Sequence, residues 1–156
     1  MFLENNNISV FSDGACHASK LGVWGAIILI NDEKRTLYGR CDGTTHQRME
    51  LQAVIASLQF LEREDMSTRP ITIYSDSQYV VGLTEREARL KAHNYLTRSG
   101  KQINNADLLS VFFDLVSRSD VRFQKVKAHS TALGNVNNRE VDMLCRQKMR
   151  DFIRKG

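Results

Sequence analysis

One short pattern occurs twice in the chain and constrains its fold more than any other feature. The sequence reads Ile8-Ser-Val-Phe-Ser-Asp13-Gly14 and, later, Ile71-Thr-Ile-Tyr-Ser-Asp76-Ser77. Both runs alternate β-branched and aromatic residues, as strands do, and both end in Ser-Asp followed by a turn-former. Side chains alternate across a strand. Phe11 and Asp13 therefore share a face, as do Tyr74 and Asp76, while Ile8, Val10, Ile71 and Ile73 point the other way. Between the two runs, Leu51, Val54, Ile55, Leu58 and Leu61 recur at helical spacing. A strand, a long helix and a second strand predict a crossover connection, which makes the two strands parallel. As neighbours in one sheet, they would carry Asp13 and Asp76 about 5 Å apart. Carboxylates that close repel each other, and either a shared proton or a metal ion relieves the repulsion.

The remaining elements follow from the same reading. Residues 15–21 are expected to form a loop, residues 23–30 a buried strand and residues 34–39 a more polar returning strand, giving an antiparallel meander. Thr44-Thr45 offers the N-cap of the long helix, Thr44 with Gln47 fitting a capping box, and the helix runs to about Glu64. Ser77 is expected to cap a short helix through Val81. Asn105 is expected to cap a helix whose apolar face carries Leu108, Val111, Phe112 and Leu115. Residues 121–127 read as the last strand. Asn138 is expected to cap a final helix that buries Val141, Cys145, Met149 and Phe152. The order predicts an α/β fold: one domain over residues 1–156, with a five-stranded mixed sheet of three antiparallel then two parallel strands, flanked by helices.

Two further acids belong to this frame. Glu50 lies in the first turns of the long helix, and Asp142 one turn into the last, after Asn138. Singly, an acid near a helix N-terminus and an aspartate at a strand-end turn are ordinary. Together with Asp13 and Asp76 they fall on one edge of an open α/β sheet, where such folds place their sites. Four carboxylates need more positive potential than helix ends supply. A hard oxygen set with no thiolate and no histidine pair points to magnesium or manganese rather than zinc. Two such ions about 4 Å apart can clamp the attacking and leaving oxygens of a phosphoryl transfer.

The net charge of +4 is a modest basic bias that favours an anionic partner such as nucleic acid. Cys16, Cys41 and Cys145 are widely spaced and lack zinc-ligand spacing, which reads as reduced thiols in a cytoplasmic protein. No basic, then apolar, leader opens the sequence, and no run is long enough to span a membrane. The expectation is a monomer without a membrane partner.

Five segments in order resemble type 1 ribonuclease H: Ser12-Asp13-Gly14, Arg48-Met49-Glu50-Leu51, Ser75-Asp76-Ser77-Gln78-Tyr79, Val126-Lys-Ala-His129 and Asn138-Arg-Glu-Val-Asp142. The resemblance implies hydrolysis of the RNA strand of RNA–DNA hybrids with two Mg2+ ions, for which Mn2+ substitutes, leaving a 3′-hydroxyl and a 5′-phosphate. It implies that Asp13, Glu50, Asp76 and Asp142 are metal ligands. In the family's pattern Asp13 bridges both ions, Glu50 and Asp76 hold the ion on the leaving oxygen, and Asp142 helps hold the ion that activates water. His129 resembles the family's loop histidine that assists proton movement or product release.

The resemblance also implies a substrate surface. Gly14, Ala15 and Cys16 open the loop whose backbone approaches RNA 2′-hydroxyls, and this loop has lost most of the family's glycines. His46 and Gln47 stand where the family has paired asparagines before Arg48 that reach the minor groove. Ser77 and Gln78 follow the second aspartate. Arg89, Lys91, Tyr95 and Lys101 fall in a stretch that resembles the basic protrusion gripping the DNA strand, with Tyr95 either a stacking surface or a packing residue. Recognition by backbone and groove shape implies little sequence specificity and a strong salt dependence.

Rival readings are a transposase core or 3′–5′ exonuclease on the same fold, a hybrid-binding module without catalysis, and a domain of a reverse-transcriptase polyprotein. The Ser-Asp-Ser-Gln-Tyr and Lys-Ala-His segments argue against the first, and the presence of all four acids argues against the second.

Overall fold

The structure, a computed structural model, describes residues 6–127 and 136–155. Its strands are β1 (Ile8–Cys16), β2 (Gly22–Ile30), β3 (Glu33–Cys41), β4 (Pro70–Ser75) and β5 (Asp120–Lys125). Its helices are α1 (His46–Arg63), α2 (Gln78–Val81), α3 (Leu83–Ala92), α4 (Ala106–Ser117) and α5 (Val136–Lys155). The sheet runs β3-β2-β1-β4-β5. The β1–β2 and β2–β3 pairs are antiparallel, and β1–β4 and β4–β5 are parallel. This is the mixed sheet expected from the sequence, with the two Ser-Asp strands adjacent at its centre.

Helices cover both faces of the sheet, and the strand alternation decides which residues meet them. Ile8, Val10, Ile28, Ile71 and Ile73 join Leu51, Val54, Leu58, Leu109, Phe112 and Phe113 in the main core beneath α1 and α4. Each such side chain contributes about 1.5–3 kcal/mol when fully buried. On the opposite face, Phe11 and Ile27 pack against Val141 of α5. The Phe11 and Tyr74 rings stack there with centroids 4.8 Å apart and planes 9° apart.

Several local expectations are corrected by tertiary contacts. Strand β1 does not stop at Asp13-Gly14. Its ladder with β2 continues through Gly14–Trp24 and Ala15–Val23 to Cys16–Gly22. Only residues 17–21 turn, closed by the His17 N–H donating to the Leu21 carbonyl at 2.8 Å and by Lys20 at φ 70°. The N-cap of α1 is Thr45, whose Oγ1 accepts from the Arg48 N–H at 3.2 Å. The box between Thr44 and Gln47 does not form, because Thr44 is buried one residue ahead of the cap, where Gly22 and Met49 crowd it.

The helices differ from expectation in several ways, one being that α5 buries Val141 and Cys145 but leaves Met149 and Phe152 half-buried. Asn105 does stand at the head of α4, but in the left-handed region at φ 67° and with no side-chain cap; its Nδ2 instead donates to the Tyr79 hydroxyl at 3.1 Å. Helix α4 buries Ala106, Leu109, Phe112, Phe113 and Leu115, leaving Val111 at 41% exposure. Apolar residues surround most of this helix, so its contacts rather than its periodicity select the buried stripe. Helix α5 begins at Val136, which places Asn138 inside the helix instead of at its cap. Among the described residues no helix is long and apolar enough to cross a membrane. Cys16, Cys41 and Cys145 are free thiols.

Candidate active site

The β1–β4 register brings the two aspartates together. Ile8 pairs with Ile71 and Phe11 with Tyr74. The same register carried two residues further sets Asp13 opposite Asp76, above the stacked rings. Asp13 thus lies within β1, which continues past it against β2, whereas Asp76 follows directly on the end of β4.

Gly14 permits the third acid to approach. A Cβ on Gly14 would lie 2.5 Å from the Glu50 backbone nitrogen and 2.6 Å from the Met49 carbonyl carbon. Only glycine lets β1 run so close to the first turns of α1, where Glu50 sits. The Glu50 carboxylate is held on two sides. Ser77 Oγ donates to its Oε2 at 2.5 Å, and His46 Nε2 lies 2.9 Å from its Oε1. Ser77 also caps α2, accepting from the Val80 N–H at 3.2 Å. One hydroxyl therefore ties the turn after Asp76 to the Glu50 carboxylate.

Asp142 completes the group. It stands on the second turn of α5, and its carboxyl reaches that of Asp13. On its other side Arg146 Nε lies 3.2 Å from Asp142 Oδ2, one helical turn along. The electrostatics follow from this crowding. Burial first, then the charges of Asp76 and Asp142, push the Asp13 carboxyl up to about 8, although the Gly14 N–H donates to it and pulls the other way. The hydrogen bond to Glu50 is the main cause that raises His46.

The donor set suits a hard divalent cation: four carboxylates, all oxygen ligands, one of which burial and then its negative neighbours push towards the protonated form. Among the described residues no three His, Cys, Asp or Glu groups are gathered as a ready-made metal cage. The carboxylates instead engage one another, Ser77, His46 and Arg146, as repelling charges do when protein groups are their counter-partners. The fit to a metal is thus one of ligand chemistry and convergence.

The other residues singled out in the sequence separate into those near the acids and those away from them. Gly14, Ala15 and Cys16 lie in the β1 ladder, with Cys16 Sγ 3.5 Å from the Thr44 carbonyl. His46 and Gln47 open α1 and, with Thr45, Arg48, Asn104 and Asn105, line a groove of about 480 Å3. The Arg48 guanidinium is committed to Asp107 through two bonds of 2.9 and 2.8 Å, so it ties α1 to α4. That pair holds Asp107 down at about 2. Ser77 is buried and Gln78 exposed.

In the basic stretch, Arg89 is exposed and lines a second groove with His93 and Arg98. Lys91 is bonded to Glu87 at 2.7 Å and lies 5.7 Å from the Phe113 ring centroid. Tyr95 packs against the core, and Lys101 is exposed. His129 lies outside the described residues.

Sequence reading missed the Ser77–Glu50 and Arg48–Asp107 bonds and the contribution of Asn104 and Asn105 to the groove. The Asp142–Arg146 and His46–Glu50 pairs carried a local signal, the i,i+4 spacing on a helix.

Solved structures share this fold. The chain is similar to the crystal structure of LC9-RNase H1, a type 1 RNase H with the type 2 active-site motif, at a TM-score of 0.78 and 20% identity, covering 90% of this chain and 71% of that one. It is also similar to the solution structure of the PFV RNase H domain, at a TM-score of 0.72 and 18% identity, covering 90% of this chain and 92% of that one. These likenesses define the fold as that of ribonuclease H.

Sequence comparison goes further. The family model described as RNase H matches residues 5–150. The chain is 36% identical over 157 aligned residues to the ribonuclease H of Francisella tularensis subsp. novicida strain U112, covering 99% of both proteins. It is 34% identical over 157 aligned residues to that of Francisella philomiragia, again covering 99% of both. The chain belongs to the ribonuclease H family and is a nuclease of that class.

Proposed function

We propose that the chain hydrolyses the RNA strand of RNA–DNA hybrids, using Asp13, Glu50, Asp76 and Asp142 as the ligands of two divalent cations. The observation that carries this reading is geometric: Asp76 and Asp142 crowd Asp13 on β1, and the first turns of α1 bring Glu50 against Gly14 beside them, so that burial and the charges of Asp76 and Asp142 push the Asp13 carboxyl up to about 8. A carboxyl in that position exchanges its proton for a cation when one binds. Asp13 has carboxyls near it on both sides and is the ligand suited to bridge two ions. Glu50 and Asp76 would hold the ion on the leaving-group side, and Asp142 would help hold the ion on the water side.

Magnesium ions held there would supply Lewis acidity to the scissile phosphodiester and lower the pKa of an attacking water, giving 3′-hydroxyl and 5′-phosphate ends, with manganese as a substitute. The protein's own groups orient this site. Ser77 and His46 fix the Glu50 carboxylate, and Arg146 restrains Asp142. His129 is assigned to proton movement or product release.

The groove beside His46 and Gln47 is assigned to the hybrid's minor-groove side, with the backbone of Gly14, Ala15 and Cys16, together with Ser77 and Gln78, on the RNA strand. Arg48 acts there by holding the groove's walls against Asp107. Arg89 and Lys101 contact the DNA backbone, with Lys91 adding charge from its place beside Glu87. Tyr95 supports this segment by packing. The protein is assigned to the cytoplasm as a monomer, and its three free thiols suit a reducing compartment.

The test uses end-labelled RNA–DNA hybrid, duplex RNA, duplex DNA and single-stranded RNA, each with magnesium and with a chelator. Internal cleavage of the hybrid's RNA strand alone, dependent on magnesium and lost in Asp13→Asn, is the expected result. Binding without cleavage at any magnesium concentration, or cleavage of duplex DNA, overturns the proposal.

A further inference from the structure

Gly25 of β2 and Cys145 of α5 meet directly beside Asp13. Gly25 is the cross-strand partner of Asp13. A Cβ on Gly25 would lie 2.9 Å from Cys145 Sγ, 3.3 Å from Leu144 Cδ2 and 3.6 Å from Val141 Cγ2. The missing side chain therefore leaves a dent in the sheet face, and the sulfur fills it. Cys145 is 1% exposed, and its Sγ lies 3.7 Å from the Asp13 backbone oxygen.

Cys145 follows Asp142 by three residues, so both project from the same side of α5. Val141, immediately before Asp142, is also 1% exposed and packs on Phe11 and Ile27. Asp142 is thus held between two buried anchors. The Lys34–Glu140 bridge between α5 and β3 has both side chains nearly half exposed (44% and 45%), which is too solvated to set how deeply the helix sits. Depth is set where backbone and side chain touch without slack, as Cys145 does on Gly25.

We infer that Cys145, seated over Gly25, is a positioning residue that sets the separation of Asp142 from Asp13 and thereby the affinity of the acid cluster for divalent cations. The inference rests on the proposed reading of those acids as cation ligands. Its chemistry is steric. Added volume on either side of the contact lifts α5 from the sheet and draws Asp142 away from Asp13, while the fold survives because the main core beneath α1 and α4, on the other face of the sheet, is untouched.

The experiment is calorimetric titration of Mg2+ into the full chain, with thermal melts in chelator and steady-state hybrid cleavage run in parallel. Gly25→Ala and Cys145→Val add volume from opposite sides. Each is expected to weaken Mg2+ binding about tenfold, the scale seen when groups that orient metal ligands are changed, and to lower kcat with KM for the hybrid unchanged. The double variant Gly25→Ala with Cys145→Ala restores room for the new methyl and returns Mg2+ affinity towards the wild-type value.

A lowered melting temperature with Mg2+ affinity unchanged overturns the inference, as does a double variant no better than Gly25→Ala alone. Where Gly25→Ala does not fold, Cys145→Val decides. A wild-type protein that takes up no Mg2+ overturns both the inference and the reading beneath it. Wild-type binding with unshifted variants overturns the inference alone.

Discussion

His46 and Glu50 lie one turn apart on α1, and His46 Nε2 is 2.9 Å from Glu50 Oε1. The ring is 62% exposed while the carboxylate is 12% exposed, so a solvated imidazole covers a nearly buried acid. The hydrogen bond to Glu50 raises the His46 pKa above its ordinary 6.5. The protonated ring is thus favoured in the folded state. Stability from the pair is fully present below the unfolded value and is lost as pH rises through the raised folded value. His46→Asn is expected to lower the melting temperature in chelator at about pH 5 and to have little effect at about pH 9, with a loss under about 1 kcal/mol because the ring is exposed. Melts of both proteins across that range check it; an equal loss at both ends contradicts it.

Asp13 carries the opposite tension between stability and activity. Burial, Asp76 and Asp142 push its carboxyl from 3.8 up to about 8. A folded-state pKa above the unfolded one means that its contribution is full below 3.8 and is lost as pH rises towards about 8. Asp13→Asn keeps the shape and removes the charge. It is expected to stabilise the metal-free protein at pH ~8 and to abolish hybrid cleavage at every magnesium concentration. Magnesium should raise the melting temperature of the wild type and not that of the variant, because a ligand stabilises only the state that binds it. Full recovery of activity at high magnesium contradicts a bridging role.

Gly14 is a contact residue, not a hinge. Its missing Cβ is what allows β1 to lie 2.5 Å, in Cβ terms, from the Glu50 nitrogen. The obstructing atoms are backbone, which cannot rotate away. Gly14→Ala is expected to cost about 1–3 kcal/mol, the usual range for forcing volume into a packed site, and to reduce kcat by shifting Glu50 relative to Asp13. Denaturant unfolding and steady-state cleavage measure the two effects; wild-type values in both exclude the close approach.

Ser77 joins two jobs in one hydroxyl. It donates to Glu50 Oε2 and accepts from the Val80 N–H. Ser77→Ala removes the cap, worth about 1 kcal/mol, and frees the Glu50 carboxylate to rotate. The expected outcome is a tenfold or greater loss of magnesium affinity, on the order of other groups that orient metal ligands. Ser77→Thr keeps the hydroxyl and should recover most of that affinity. A variant that is less stable but binds magnesium normally limits Ser77 to its capping role.

Much of this protein follows from local pattern. The period-2 runs at Ile8 and Ile71 and the helical run from Leu51 to Leu61 identify β1, β4 and α1, and the phase of each strand puts Asp13 and Asp76 on the face opposite Ile8 and Ile71. The crossover connection then makes the strands parallel, as found. These features depend on residues a few positions apart, which the chain itself holds together.

What the pattern could not decide depends on partners far away in the sequence. Pairing with β2 extends β1 to Cys16, and the surroundings of Thr44 shift the α1 cap to Thr45. Core contacts choose which stripe of α4 is buried. The site shows the same division. The acids are evident as residues, but the Ser77–Glu50 bond spans 27 positions, the Arg48–Asp107 pair 59, and the seat of Cys145 on the Asp13 backbone 132. Nothing in the local chemistry of either partner signals such a contact. Only the folded sheet, by fixing which strand lies beside which helix, brings them within reach.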